Sequence, residues 1–183
     1  MDEVFAPVET PRLILRGIKP ADAATLSERM TPGVARWVAS WPSPLTLELA
    51  AQRIELMRLR ASEGSMLPMA VVKKDGDELI GLVSVSRHHE DSRRGVFGYW
   101  LGERHHQKGY MTEIAPVIIH TAFERLNLDI IEAAAQLANE PSFKVMEAAG
   151  MKPSGEGMVY APSRGHEELC RFYEITRIRP THH

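Results

Sequence analysis

The pattern of apolar and polar residues predicts two helices in the first third of the chain, with a broken segment between them. In 46–63, apolar residues recur every three or four positions and charged residues occupy the opposite face, as in a helix on a protein surface. Thr46 can cap this helix and Gly64 can end it. A shorter helix is predicted over 23–30. The prolines and glycine of 31–44 predict a loop or a broken helix between the two.

Strands are predicted where apolar residues alternate with polar ones or run together. The predicted strands are 10–18, 66–73, 78–87, 96–101, 129–137, 151–161 and 167–178. Asp75 and Gly76 make a hairpin turn after the second of these. The strand 129–137 is almost wholly apolar, so we expect it to be buried on both faces. Two more helices are predicted over 109–126 and 141–149, the first with an internal proline that should kink it or shift its start.

The order of these elements predicts one mixed α/β (α+β) domain over 1–183, because no segment resembles a linker. The strand 96–101, the helix 109–126 and the strand 129–137 form a strand–helix–strand unit. Its crossover should be right-handed, which makes the two strands parallel. We therefore expect a mixed, mostly antiparallel sheet of about seven strands with one parallel pair, and about four helices.

Composition and charge exclude several classes of protein. Hydrophobic residues make up 44% and charged residues 25% of the chain, as in globular proteins. The net charge of −2 provides no basic field for nucleic acid. No apolar run could span a bilayer and the N-terminus lacks a secretory signal, so we expect no membrane partner and a cytoplasmic location. Cys170, the sole cysteine, excludes an internal disulfide and should be buried and inert. The terminal residues 181–183 fit either a native end or the remnant of a tag.

The segment 97–113 carries the clearest chemical signal. A predicted strand ends there, a polar turn follows, and a helix opens at Gly109. Free N–H groups at a helix N-terminus attract anions. Lys108 adds a positive charge, and the glycine allows a phosphate to approach the backbone closely. Neither the P-loop motif nor the dinucleotide motif G-x-G-x-x-G is present at this turn.

This turn and the order of elements resemble the GNAT superfamily of acetyl-CoA-dependent N-acyltransferases. The family signature [QR]-x-x-G-x-[GA] maps onto 106–111, with His106 and Met111 as departures. A strand G-Y-W-L, a helix start G-Y-M-T-E, a W-P pair and the pattern Asn-x-x-Ser…Glu-x-x-Gly-Met are similar to the branch of ribosomal-protein N-terminal serine and alanine acetyltransferases. The resemblance covers about 10–177.

The resemblance implies acetyl-CoA as the co-substrate, held at three places. Backbone groups of Tyr99, Trp100 and Leu101 would pair with the pantetheine amides like an added strand. Backbone amides of the turn would bind the pyrophosphate: Gln107, Lys108, Gly109, Tyr110, Met111 and Thr112. Asn139 would hydrogen-bond the pantetheine arm, and Ser142 would lie near the thioester sulfur.

The sequence departs from the superfamily at two catalytic positions. The tyrosine often used as the acid is Met146, which makes Ser142 the candidate acid. The glutamate often used as the base is Ala134, so the base stays open. The candidates for the base are Glu90, His88, His89 and Glu132. A strand N–H near Tyr99 or Trp100 could stabilise the oxyanion.

Three hypotheses for the function stay open, and the first two differ in the acceptor. The first is the N-terminus of a protein or peptide, such as a ribosomal protein; the second is a small amine such as an amino acid, polyamine or antibiotic. The third is a CoA-binding module without catalysis.

The segment 31–44 carries Trp37 and Trp41, one of which should be core and the other a wall of the acceptor cleft. The adjacent histidines of 88–89 and 105–106 do not favour a metal, because neighbouring strand residues face opposite sides. Monomer and homodimer both stay open.

Overall fold

Eight strands form one mixed sheet in the structure, a computed structural model that describes residues 5–179. Across the sheet the strands are β1 (Val8–Glu9), β2 (Leu13–Gly17), β3 (Met66–Lys73), β4 (Leu79–Arg87), β5 (Arg94–Leu101), β6 (Ile130–Gln136), β8 (His166–Thr176) and β7 (Lys152–Ala161). Every neighbouring pair is antiparallel except β5 and β6. This confirms the mixed sheet with one parallel pair. The strand beyond the expected seven is β1, whose two residues are too few to show an alternating pattern. Residues 181–183 lie outside the described part.

In the described part of the chain, five α-helices pack on the sheet: α1 (Ala23–Arg29), α2 (Pro32–Ala35), α3 (Leu47–Ser62), α4 (Tyr110–Arg125) and α5 (Glu140–Ala148). The additional helix is α2, a single turn that starts at a proline inside the predicted loop. The Thr46 hydroxyl caps α3 by accepting from the backbone N–H of Leu49. α4 starts directly after Gly109 and continues through Pro116, so the proline does not shift its start. Among residues 5–179, no helix is long and apolar enough to cross a membrane.

The helices divide between the two faces of the sheet. α1 and α3 cover the face that carries Leu82 and Trp100, called here the front face. α4 and α5 cover the face that carries Val83 and Phe97, called the back face. Each face therefore has its own hydrophobic core, and residues that alternate along a strand contribute to different cores.

The strand β6 is buried on one face only. Ile131, Ala133 and Ala135 are buried under α4 and α5, whereas Glu132 is partly exposed and Ala134 exposed on the front face. The expectation of burial on both faces was wrong, because alanine is apolar yet small enough to be left exposed at little cost.

A cleft opens between the two parallel strands. β5 and β6 pair only from Arg94 to Val96 and from Ile130 to Glu132. Beyond these residues, β5 pairs only with β4 and β6 only with β8. The cleft lies between 97–101 and 133–136, at the carboxyl ends of both strands, where open α/β sheets bind their ligands. Backbone groups that face it are free to pair with an extended ligand.

Candidate active site

The turn that follows β5 has the backbone of an anion site. A short 3₁₀ turn, Glu103–His105, connects β5 to the turn 107–112, which opens α4. Gln107 and Gly109 both have positive φ, +59° and +75°. Successive N–H groups in such conformations form a concave cradle for an anion, and the first N–H groups of α4 have no partner within the helix. Of the predicted turn residues, Gln107, Lys108, Gly109 and Thr112 are exposed and Tyr110 is partly buried.

Met111 and His106 take structural roles beside this turn. The Met111 side chain is buried in the back-face core, so only its backbone can face a ligand. The His106 ring nitrogen Nε2 lies 2.7 Å from the carbonyl of Leu101 and holds the end of β5. Arg12 also reaches the turn and hydrogen-bonds the carbonyl of Lys108 at 2.9 Å. No local pattern points to Arg12, because 96 residues separate it from Lys108.

Two hydroxyl groups meet beside the cleft. Tyr99 projects from β5 to the back face, and its hydroxyl hydrogen-bonds that of Ser142 in the first turn of α5. Tyr99 Oη also lies 3.4 Å from the carbonyl oxygen of Ser142. Burial raises the pKa of Tyr99 to about 12, so the phenol keeps its proton at neutral pH. Sequence reasoning assigned only backbone contacts to Tyr99 and missed this side-chain role.

Asn139 begins α5 at the carboxyl end of β6. Its backbone N–H donates to the carbonyl of Gln136 at 2.8 Å, and its carbonyl accepts from the N–H of Ser142 at 3.1 Å. The Asn139 side chain does not cap the helix. The turn therefore places Asn139 and Ser142 together at one edge of the cleft, opposite Tyr99, Trp100 and Leu101 at the other.

The two tryptophans of the loop 31–44 have different environments. The Trp41 ring packs edge-on against Trp100, with 5.5 Å between ring centres, and joins the front-face core. The guanidinium of Arg53 lies 4.8 Å from the same ring. Trp37 is partly buried under the guanidinium of Arg36, 4.3 Å from its ring centre. Trp41, itself partly buried, packs against the front-face core, and which tryptophan lines the acceptor cleft stays a prediction.

The same loop crosses from the β5 side of the cleft to the β7–β8 hairpin. Arg164 Nη1 donates to the carbonyl of Ala35 at 2.7 Å, and the hydroxyl of Ser163 donates to the carbonyl of Ala39 at 2.8 Å. Gln136, the last residue of β6, donates to the carbonyl of Arg36 at 2.9 Å. A cavity of about 230 Å³ lies between the loop and the hairpin turn.

Comparison with known proteins identifies the domain. A family model described as "Acetyltransferase (GNAT) domain" matches residues 12–152. The chain belongs to the GNAT family of acetyltransferases. It is 28% identical over 157 residues to an uncharacterized N-acetyltransferase, p20, of Bacillus licheniformis, covering 85% of this chain and 88% of p20.

Solved GNAT structures share this fold. The crystal structure of ribosomal-protein-S5-alanine acetyltransferase from Vibrio fischeri superposes with a TM-score of 0.82 at 28% identity, covering 94% of this chain and 97% of that one. Mycobacterium smegmatis RimJ, solved in complex with CoA-disulfide, superposes with a TM-score of 0.80 at 22% identity, covering 96% of this chain and 90% of RimJ. The GNAT fold and the acetyltransferase activity expected from the sequence are confirmed.

Both family catalytic positions are apolar in this acetyltransferase. The Met146 side chain is 1% exposed in the back-face core, where it packs and cannot donate a proton. Ala134 is exposed on the front face of β6. On the same face Glu132 stands where the cleft begins, but Arg94 donates to its carboxylate at 2.9 Å.

The structure does not bring Glu90, His88 or His89 to the cleft. All three lie in the turn between β4 and β5, at the amino end of β5, whereas the cleft opens at its carboxyl end. Glu90 Oε1 lies 3.5 Å from His89 Nε2, and both side chains are exposed. Sequence proximity to β5 suggested Glu90, but the direction of the strand separates it from Ser142.

Metal and thiol chemistry find no support in the described residues. No group of three or more His, Cys, Asp or Glu side chains in 5–179 could hold a metal ion. Cys170 is 5% exposed in β8, as expected, and burial raises the pKa of its thiol.

Proposed function

We propose that this GNAT enzyme transfers the acetyl group of acetyl-CoA to the α-amine of a protein or peptide N-terminus. The cleft between β5 and β6 is the observation that carries the proposal. It combines a free strand edge at 97–101, a hydroxyl pair of Tyr99 and Ser142, and an anion-binding turn within one short stretch of structure.

Acetyl-CoA fits this arrangement along its length. The pantetheine arm carries two amide groups, which can pair with the backbone of Tyr99 and the N–H of Leu101 as a short added strand. Trp100 lies between them with its backbone turned towards Leu82 of β4, so its contribution is its side chain and not a cleft-facing amide. Asn139 offers a side-chain amide across the cleft. The pyrophosphate would lie on the backbone amides of 107–112, with Lys108 supplying a positive charge. No metal is needed to hold it.

The transfer is a direct attack of the amine on the thioester. A C–N bond forms, the C–S bond breaks, and the proton lost by the amine balances the proton gained by the departing thiolate. The backbone N–H of Tyr99, which faces the cleft, would stabilise the oxyanion, whereas that of Trp100 points towards β4. Ser142, oriented by the protonated Tyr99, would donate to the sulfur. Because the neutral amine is the nucleophile, a water molecule can remove its proton, and no side-chain base is assigned.

Paired carboxylates at the cleft favour a peptide N-terminus over a polyamine. A polycation would need free acidic groups, but Glu132 is paired with Arg94. Glu168 is held by Arg164 at 2.6 and 2.7 Å, and this hydrogen bonding lowers the pKa of Glu168.

The cavity of about 230 Å³ between the loop 31–44 and the β7–β8 hairpin offers a place for the first residue of a peptide acceptor. The S5-alanine acetyltransferase from Vibrio fischeri supports the same class of acceptor. A ribosomal or other newly made protein as acceptor implies a cytoplasmic enzyme.

Calorimetric titration with CoA tests the proposed cofactor site. Gly109→Val adds a branched side chain at φ +75°, where it strains the backbone and obstructs the phosphates, so we expect affinity to fall at least about tenfold. Gly76→Val is the matched control, since Gly76 has φ +77° and open space around it in the β3–β4 turn. Equal affinity of Gly109→Val and the parent would show that the site is wrongly placed.

Turnover with a panel of peptides and small amines tests the acceptor. With peptides that begin with Ser or Ala, the enzyme should release CoA from acetyl-CoA. With the same peptides carrying a blocked α-amine, it should not. Faster turnover of amino acids or polyamines would favour the second hypothesis, and CoA binding without any turnover would indicate a non-catalytic module.

A further inference from the structure

Two segments distant in sequence meet at the start of α4. Thr10 and Arg12 precede β2, whereas Glu113 lies in the first turn of α4. The Thr10 hydroxyl donates to Oε1 of Glu113 at 2.6 Å, and the backbone N–H of Arg12 donates to the same oxygen at 2.9 Å. Arg12 Nε donates to the other oxygen at 2.6 Å. Both carboxylate oxygens therefore have donors.

Arg12 contacts the turn as well as the carboxylate. Its Nη1 donates to the carbonyl of Lys108, and its guanidinium lies 4.5 Å from the centre of the Tyr110 ring. Its Nη2 faces Gly109, because a Cβ atom at Gly109 would lie 3.5 Å from it. The Arg12 side chain thus lies against three consecutive residues of the turn, 108–110.

These contacts neutralise a carboxylate that would otherwise repel the phosphates of CoA. Glu113 places a negative charge within one helical turn of the amides that would receive the phosphates of CoA. Its side chain is only 14% exposed, so water screens that charge poorly. Burial alone would raise the pKa of Glu113, but the hydrogen bonds from Thr10 and Arg12 outweigh it and lower the pKa, which keeps the carboxylate ionised.

We propose that Arg12 is a positioning residue for CoA: it neutralises Glu113 and fixes the Lys108 carbonyl, so that the turn 107–112 presents amides rather than a carboxylate to the phosphates. This inference rests on the proposed function of the turn. It adds an arginine–glutamate pair that sets the affinity of the site for phosphate groups.

A double-mutant cycle separates this role from a purely structural one. Arg12→Ala leaves the Glu113 charge unpaired beside the phosphates, and CoA affinity should fall at least about tenfold by calorimetry. Glu113→Gln should bind CoA at least as tightly as the parent. Adding Glu113→Gln to Arg12→Ala should restore affinity to within about threefold of the parent.

Lys74→Ala is the matched control for net charge. Lys74 lies beside Arg12 on the neighbouring strand end, but its ammonium pairs with Glu9 at 2.8 Å. This variant should leave CoA affinity within about twofold of the parent, because it changes the total charge equally without touching the turn.

S-acetylpantetheine, which has the thioester arm but no phosphates, gives a second readout. Arg12→Ala should leave kcat/KM for this substrate unchanged while lowering it for acetyl-CoA. The inference is overturned if Arg12→Ala binds CoA as tightly as the parent, or if the double variant binds no better than Arg12→Ala. If Arg12→Ala does not fold, a loss of affinity in Glu113→Gln overturns it. A parent protein that does not bind CoA at all would instead refute the proposed function.

Discussion

The Ser142 hydroxyl and the Tyr99 phenol form a pair whose members come from opposite sides of the cleft. The phenol is the better donor of the two, and its burial keeps it protonated. Ser142 can accept from Tyr99 and direct its own proton towards the thioester sulfur. In the proposed mechanism, this pair takes the place of the single tyrosine that the wider family often uses.

Ser142→Ala should lower kcat while leaving acetyl-CoA binding nearly unchanged. The hydroxyl acts on the developing thiolate, which exists only late in the reaction, so we expect at least about a tenfold loss of kcat. Steady-state kinetics with the best peptide found will measure it, with the exposed Ser154→Ala on β7 as control. An unchanged kcat would remove Ser142 from the mechanism.

Tyr99 also makes stability depend on alkaline pH. Its folded pKa of about 12 lies above the unfolded value of about 10, so the stability it contributes is complete below about pH 10 and is lost as the pH rises from about 10 towards 12. Urea unfolding of the parent should show this decline, and Tyr99→Phe should flatten it. Parallel curves for the two proteins would place the phenol in a more hydrated environment.

At the residue scale, the sequence predicts residues that stand in a recognisable local motif and misses those that reach the site through long-range contacts. It pointed to Gly109 from the helix start that this residue opens, whereas Asn139 and Ser142 came from the resemblance to the family. It could not find Arg12, whose contacts with Glu113 span 101 residues. It proposed Glu90 from its nearness to β5 in sequence, although strand direction puts it at the opposite end.

At the scale of elements, the loop 31–44 joins the two sides of the cleft. Trp41 anchors it to Trp100 on β5, and the carbonyls of Ala35 and Ala39 attach it to the β7–β8 hairpin. The loop is therefore attached to both sides of the cleft. The short helix α2 ends at Ala35, the first of these carbonyls, and its four residues are too few for periodicity to predict.

The two tryptophans should respond differently to truncation. Trp41→Ala removes a partly buried ring that packs on Trp100 and should cost about 2 kcal/mol, less than a fully buried ring. This cost is equivalent to a fall in Tm of roughly 4–8 °C for a chain of this size.

Trp37→Ala should instead raise the KM for a peptide acceptor at least about threefold and leave Tm within about 2 °C. Thermal melts and steady-state kinetics on the same samples will distinguish them. A Trp37→Ala variant with unchanged KM for every acceptor would make the loop purely structural.

The bounds of a strand were predictable where its apolar run is continuous and is flanked by polar or turn residues. The strand β3 was predicted with its observed bounds, and the parallel relation of β5 and β6 followed from the crossover rule. The sequence could not predict that the two strands pair over only three residues each. Where the pairing stops depends on contacts between residues distant in sequence, such as Val96 and Glu132, which a local pattern does not encode.

At the scale of the whole molecule, the two proposed sites lie on opposite faces of the sheet and meet in the cleft. The turn 107–112 leads to α4 on the back face, whereas the loop 31–44 lies on the front face. The closed end of the cleft is tied by a bidentate pair, Arg93 with Asp129, at 2.7 and 2.8 Å. In the account proposed here, acetyl-CoA and the amine enter from different faces and react between the strands.

The most direct test is to locate the acetyl group after reaction. A peptide with a free α-amine at Ser or Ala and one internal lysine is incubated with acetyl-CoA and the protein, and the modified residue is identified by tandem mass spectrometry. The account predicts one acetyl group on the α-amine, none on the lysine, and a strong loss of product with Gly109→Val. Acetylation of the lysine alone, or transfer only to small amines, would contradict it.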